Sequence, residues 1–589
     1  MKHIFVTLFS LFTFVNMQAA SVNYSINISN PNTHYATVTV TVSGISDKFL
    51  DFKMPVWAPG SYLVREFARN VEQINAIDAS GNKLPLIKTD KNTWRVTNTG
   101  KNTSITLSYE LYANEPSVRT SIIDSDHAFL HNSSVFMFVN QYKNLPGTVK
   151  LIYPAAWKNA ATSMDKSAEN TFSFADYDIL ADSPIEIGNH ESIFFEVMGV
   201  PHKAVFVGAN NCDKIKFTAD LKKLCETMAA IVGVHPSKNY TFIIQNVEEG
   251  GGGLEHLNSC TVQMPRYNYS KPDKYLSFLG LCAHEYFHLW NVKRIRPKAL
   301  GPFNYNAENH THLLWVAEGI TSYYDELALY RSGYWTRDQY LSALSSAING
   351  VENRYGSKVQ PLADASWDAW IKEYRPNENS INTTISYYSK GQVVAAMLDI
   401  EITASTKGAK NLDDVLKYLY KEFYLKSNTG FTDEEFTIAV SLIAGKDMKP
   451  FMDKMIFSTE EIDYKAYFAM VGAVITDENS GKVKAWTGIN SEIKDGRLLI
   501  KSIEKNSPAS KDGFSVGDEI IAVNSNRIKT NLDDFINEIP VGTPAKFLIS
   551  RAGLIKEITL TTEAGKAKKY VIKIDSEGNA ALNKWLSKN

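Results

Sequence analysis

The sequence predicts a multidomain α+β protein, with an antiparallel β domain in front, a mainly α-helical domain in the middle and a small β-rich domain at the end. Three observations lead there. In the front part, Tyr35-Ala-Thr-Val-Thr-Val-Thr-Val42 and Thr103-Ser-Ile-Thr-Leu-Ser-Tyr109 alternate with period two, and Asn, Gly, Pro and Ser gather between such runs. In the middle, Thr336-Arg-Asp-Gln339 and Thr432-Asp-Glu-Glu435 have capping-box form ahead of apolar-periodic stretches. After Tyr464 the composition shifts again. The 589 residues exceed what one core supports, and the shifts divide them into a β domain over 21–200, a helical domain over 201–465, a third unit over 466–565 and a basic tail over 566–589. The tail ends in a short helical pattern, with Trp585 as a candidate docking residue.

Residues 1–20 have a basic start at Lys2 and His3, an apolar run from Ile4 to Val15, and small residues at Ala19 and Ala20. This is the pattern of a secretory signal peptide, too short to span a bilayer. No cysteine follows the run to carry a lipid, and no later segment reaches membrane-spanning length. The expected product is exported, periplasmic or secreted if the source is bacterial, and free of the membrane after cleavage. Lys plus Arg number 62 against 64 Asp plus Glu, with no long basic run, so a nucleic-acid role has no support. The four cysteines, Cys212, Cys225, Cys260 and Cys282, form no CxxC zinc pattern. Export permits a Cys212–Cys225 disulfide, and buried free thiols are the equal alternative.

Chemistry concentrates in Leu281-Cys-Ala-His-Glu-Tyr-Phe-His-Leu-Trp290, which contains H-E-x-x-H. Residues four apart on a helix share a face, so His284 and His288 can grip one metal ion while Glu285 sits beside it. Ser270-Lys-Pro-Asp273 reads as the capping box that starts this helix, with Pro272 in its first turn, and the apolar run from Tyr275 to Val292 implies burial. A catalytic zinc takes three protein ligands and keeps one position open. The third candidate is Glu318, in a second apolar helical run that Thr311 caps and Gly333 ends. Gly319 beside it costs helix stability but admits a close backbone. His310 and His312 are rivals, placed in a polar segment before that helix.

His284-Glu-Tyr-Phe-His-Leu-Trp-Asn-Val-Lys-Arg-Ile-Arg-Pro297 and Trp315-Val-Ala-Glu-Gly-Ile-Thr-Ser-Tyr-Tyr324 resemble the glycyl aminopeptidase family of zinc metallopeptidases, the M61 family of the gluzincin group. Gly251-Gly-Gly-Leu-Glu-His256 is similar to its glycine-rich exopeptidase segment and Tyr387-Tyr-Ser-Lys-Gly391 to its tyrosine motif. Met54-Pro-Val-Trp-Ala-Pro-Gly-Ser-Tyr-Leu-Val-Arg-Glu-Phe67 resembles its N-terminal β domain, read from the residues alone as core aromatics that help wall a cleft. The resemblance implies a thermolysin-like peptidase domain that holds one Zn²⁺ per chain on His284, His288 and Glu318. It implies Glu285 as general base, Tyr388 (with Tyr387 as rival) as oxyanion donor, and removal of N-terminal Gly or Ala from peptides. Glu255, just past Gly251, Gly252 and Gly253, is the residue that argues for a free substrate α-amine. The strand Tyr240–Val247 leads into these glycines, and an extended peptide can lie along a strand edge there.

Asn506-Ser-Pro-Ala509 and Val516-Gly-Asp-Glu-Ile-Ile-Ala-Val-Asn524 look like a PDZ domain, a site for a peptide C-terminus, although Trp486-Thr-Gly-Ile489 departs from the Gly-aromatic-Gly loop of that fold. Arg294 and Arg296 read as structural pairs rather than substrate ligands. Two other readings compete: an endopeptidase with the same zinc and no amine anchor, and a noncatalytic PDZ peptide-binding or assembly protein built on a disabled peptidase domain.

Overall fold

The computed structural model describes residues 20–100 and 102–588, so the expected signal peptide lies almost wholly outside the described residues. The chain divides into two compact units, one made of residues up to 56 and from 66 to 189, the other of 57–65 and 190 onward.

The first unit is built on a seven-stranded sheet with two four-stranded sheets beside it in the same unit. The two period-two runs become neighbouring antiparallel strands, Tyr35–Ser43 and Ser104–Tyr112, paired from Tyr35 opposite Tyr112 to Ser43 opposite Ser104. Their alternation is the reason. Val38, Val40 and Val42 fall on the same face as Ile105, Leu107 and Tyr109, all buried, and each fully buried side chain of this size stabilises the sheet by about 1.5–3 kcal/mol. One pairing departs from the antiparallel expectation, because Ser21–Asn27 lies parallel to Gly147–Ile152.

The second unit opens on a five-stranded mixed sheet in the order Glu191–Val197, Val200–Val207, Tyr240–Val247, Ser259–Pro265 and Gly253–His256. Tyr240–Val247 is therefore a central strand, buried along nearly its whole length and parallel to both neighbours. The edge belongs to Gly253–His256, where the glycine-rich segment turns into a strand antiparallel to Ser259–Pro265. Helices follow. Both expected capping boxes form, Thr336 with Gln339 and Thr432 with Glu435. All four cysteines are free thiols, three of them buried. No helix among the described residues is long and apolar enough to cross a membrane.

The PDZ sheet runs Ile489–Lys494, Arg497–Ile503, Glu519–Val523, Pro544–Arg551 and Leu554–Thr561 over a core of its own that includes Leu498, Ile500, Ile520, Phe547 and Leu560. In its Trp486-Thr-Gly-Ile loop Gly488 has φ +77°, and a Cβ there would lie 2.1 Å from Cβ of Ser507, so the loop is packed onto the Ser-Pro turn. The chain then returns to the helical part. Tyr570–Ile574 pairs antiparallel with Ala473–Asp477, and the helix Ala580–Trp585 brings Trp585 into full burial. Its indole N–H donates to the Tyr323 hydroxyl at 3.0 Å, and that hydroxyl donates to Asp399 at 2.6 Å.

Trp585→Ala removes a buried indole and orphans part of this chain of hydrogen bonds, so it should cost about 3–5 kcal/mol. Denaturant unfolding followed by circular dichroism checks this, the expected result being a fall in midpoint without a change of slope.

Candidate active site

The helix Pro272–Phe287 presents the two histidines. It starts at Pro272 without the expected capping box: Lys271 is the N-cap and no side chain caps it, while Ser270 Oγ accepts from Asn211 Nδ2 at 3.1 Å. Pro272 alone suffices for the start, since a first-turn residue has no intrahelical use for an N–H. The helix stops at Phe287, short of the expected Val292, which leaves His284 and Glu285 in its last turn and His288 at its C-cap. The two imidazole rings lie 4.8 Å apart, edge to face.

Each ring is held from behind. His284 Nδ1 lies 2.8 Å from Asp325 Oδ2, and His288 Nδ1 donates to the Asn291 carbonyl at 2.6 Å. A carboxylate and a carbonyl accept, so both rings carry their proton on Nδ1 and turn Nε2 inward. Asn291 also donates its side-chain amide to the carbonyls of Val316 (2.7 Å) and Ala317 (3.2 Å), tying the end of this helix to the segment that carries Glu318.

That segment, Trp315–Gly319, is a π-helical turn leading into the helix Ile320–Arg331, with Thr311 Oγ1 accepting from Leu313 N ahead of it and Gly333 in a left-handed conformation after it. A widened turn of this kind shifts a side chain off the regular helical path. Glu318 Oε2 comes within 3.4 Å of His284 Nε2 and 3.3 Å of His288 Nε2. A Cβ on Gly319 would meet Cα of Gly391 at 2.5 Å, so two glycine backbones touch here. His310, against Trp367, and His312, 3.9 Å from Asp433, belong to another surface.

The edge strand closes the site from the sheet side. Gly253 faces Glu285, whose carboxylate would lie 2.3 Å from a Cβ at that position, and Glu255 is buried with one oxygen unpartnered. Glu255, Glu285 and His288 have ligand atoms within 4.8 Å of one another, as do His284, His288 and Glu318. Gly252 accepts from Gln263 N through its carbonyl, and Gly251 has open space around it. Beyond Gly391 in space, Tyr388 has its ring 6.3 Å from that of His284 and its hydroxyl 3.3 Å from the Tyr374 hydroxyl; Tyr387 stacks on it with a buried, unpartnered hydroxyl.

Burial pushes the Glu285 carboxyl up to about 7, with Glu255 and Glu318 adding to the rise and the two imidazoles opposing it. Burial acts the same way on Glu318, but there His288 and His284 prevail and keep it ionised. The Tyr388 hydroxyl is raised well above its usual value, chiefly by burial, so it stays a proton donor at neutral pH. Two inward imidazole nitrogens and one carboxylate oxygen, with their outer partners satisfied, are a donor set suited to a divalent zinc ion.

Three family models match in sequence order: the Peptidase M61 N-terminal domain over residues 23–189, the M61 glycyl aminopeptidase over 277–394 and a PDZ domain over 485–562. The front and middle parts of the chain match the two domains of the M61 peptidase family. By that match it is a zinc metallopeptidase, and it is similar to solved structures of that kind. An aminopeptidase N family protein from Idiomarina loihiensis is 29% identical with a TM-score of 0.89, over 96% of this chain and 100% of that one. An M1 zinc metallopeptidase from Deinococcus radiodurans is 12% identical with a TM-score of 0.48, over 75% of this chain and 94% of that one. No curated protein matches.

Sequence reasoning missed Asp325, Asn291, Tyr374 and, although it read Met54–Phe67 as helping to wall a cleft, the contact of Gly60 with Glu255. Asp325 was within reach, because it stands seven residues after Glu318 on one helical face. The others meet the site only through long-range folding. Arg294 and Arg296 make structural contacts: Arg294 donates to Leu257 O, Leu289 O, Ser237 Oγ and Asn258 Oδ1, and Arg296 to Gly301 O.

Gly319→Ala should cost about 1–3 kcal/mol by forcing the Gly391 backbone away. The checking measurement is the melting temperature, set against Gly350→Ala, a helical position with nothing within 4 Å of the added carbon.

Proposed function

We propose that the protein is an exported aminopeptidase that removes N-terminal residues, Gly or Ala by family resemblance, from peptides with a free amine. His284, His288 and Glu318 hold one zinc ion per chain. A zinc ion held by these residues would supply Lewis-acid polarisation of the scissile carbonyl and of a water. Glu285 lies beside the donor set, and its raised proton affinity suits a base that takes the water proton and passes it to the leaving amine. Tyr388, protonated and with its ring 6.3 Å from that of His284, donates its hydroxyl to the developing oxyanion. The PDZ domain takes a peptide C-terminus, and export rests on the leader pattern at Met1–Ala20.

The observation that carries the aminopeptidase reading over the endopeptidase one is Glu255. A carboxylate buried with an unpartnered oxygen is costly to maintain unless a cation meets it, and this one stands next to Glu285 and His288, so that a substrate's terminal amine would meet it there. A noncatalytic binder would have no use for that charge or for Glu285.

Glu285→Gln should keep one zinc per chain by elemental analysis and lower kcat by about 10²–10⁴; full activity at normal zinc content would refute the base assignment. Tyr388→Phe should lower kcat by about 10²–10³ with little change in KM. Free peptides should be cleaved and their N-acetylated forms spared, and equal rates on both would favour the endopeptidase.

A further inference from the structure

The segment Trp57–Arg65 comes from the front of the sequence but packs within the second unit. Ala58-Pro-Gly-Ser61 makes a tight turn: Ser61 N donates to Ala58 O at 2.9 Å, Pro59 holds the second position and Gly60 has φ +86° at the third, the conformation that a type II turn demands of glycine. The turn is locked in place. The Trp57 indole donates to Asn304 O at 2.8 Å, and Trp57 and Tyr62 both set their edges against Trp370, at 5.1 and 5.6 Å between ring centroids.

Gly60 rests directly on Glu255. A Cβ there would lie 2.6 Å from both carboxylate oxygens, a distance no real contact tolerates, so the carboxylate lies against the bare Cα of this glycine. On the other side of the turn the Tyr374 hydroxyl lies 3.4 Å from the Gly60 carbonyl and 3.3 Å from the Tyr388 hydroxyl. Glu255, Gly60, Tyr374 and Tyr388 thus form one continuous wall that runs from the sheet edge to His284.

We propose that the Ala58–Ser61 turn is the closed end of the substrate groove, and that Gly60 is the positioning residue that seats Glu255 to receive the α-amine. This rests on the aminopeptidase reading and adds its steric cause. A chain continuing past the terminal residue would have to pass through the Gly60 backbone, and a side chain at that position would push the anchoring carboxylate off its seat.

The test uses the full-length zinc-loaded protein with alanine p-nitroanilide and its N-acetyl form. Gly60→Ala should raise KM for the free amine about tenfold to a hundredfold, the range of one charged hydrogen bond, with zinc content unchanged. Gly81→Ala, at φ +85° with nothing within 4 Å of the added carbon, carries the same backbone strain and should leave both substrates unaffected. In a Glu255→Ala background Gly60→Ala should add no further loss, since the group it displaces is gone. An unchanged KM in Gly60→Ala, or a full additional loss in the double variant, overturns the role of the turn. Should Gly60→Ala alone not fold, the double variant should fold and melt below Glu255→Ala by no more than Gly81→Ala melts below the unsubstituted protein, and a larger loss overturns the proposal equally. If Glu255→Ala itself leaves KM for the free amine unchanged, the amine-anchor reading falls with it; if Glu255→Ala raises KM and Gly60→Ala does not, only the turn's role falls.

Discussion

Three buried carboxylates, Glu255, Glu285 and Glu318, share a small space with two imidazoles, and the rest of the second unit is arranged to make that tolerable. Charges removed from water cost several kcal/mol each unless they are paired. Two imidazoles, even with both protonated, leave one of three carboxylate charges unbalanced. A divalent ion at one end and a cation at the other would balance them, and that is the charge logic of the proposed zinc and amine sites. Glu318 faces both imidazoles, Glu285 lies between the two groups, and Glu255 stands at the far end against Gly60.

Keeping such a cluster in place requires rigid backs rather than more ligands. Asp325 and the Asn291 carbonyl fix the two rings, and the Asn291 amide fixes the turn that bears Glu318 to the turn that bears His288. The Gly319–Gly391 contact does the same for Tyr388, because it lets two helical segments approach until Cα meets Cα. Each of these is a short-range constraint between elements distant in sequence. The precision of the site comes from packing of this kind, since an imidazole free to rotate would lose both its tautomer and its aim.

Much of this was legible in the residues. The H-E-x-x-H spacing put two imidazoles on one face, the oddity of glycine after Glu318 pointed to a close backbone, and the period-two runs at Tyr35 and Ser104 gave strands that turned out to be each other's neighbours. What was not legible depended on tertiary context. Ser270 has the letters of a cap, but Asn211 takes its hydroxyl. Tyr240–Val247 reads as a strand beside the glycines, yet an apolar strand buried along its length belongs in the middle of a sheet, and the edge went to Gly253–His256. Nothing local marks Ala58–Ser61 as other than a turn of the β domain, because its partner Glu255 lies nearly two hundred residues on.

The PDZ domain shows the same gap between order in sequence and order in space. By sequence it precedes a basic tail whose one candidate anchor is Trp585. In the structure the chain enters and leaves it through the paired strands Ala473–Asp477 and Tyr570–Ile574, and Trp585 is then buried against the helix that follows Glu318. A third link comes from the Asn382 amide, which donates to Ile503 O at 2.8 Å and accepts from Lys505 N at 2.7 Å, six residues ahead of Tyr388. A module held at both ends and at one side loses most of the orientational freedom that a single linker would leave it. Its core can be self-contained while its position is set by the peptidase residues around it, and the tail that follows it ends on a buried tryptophan.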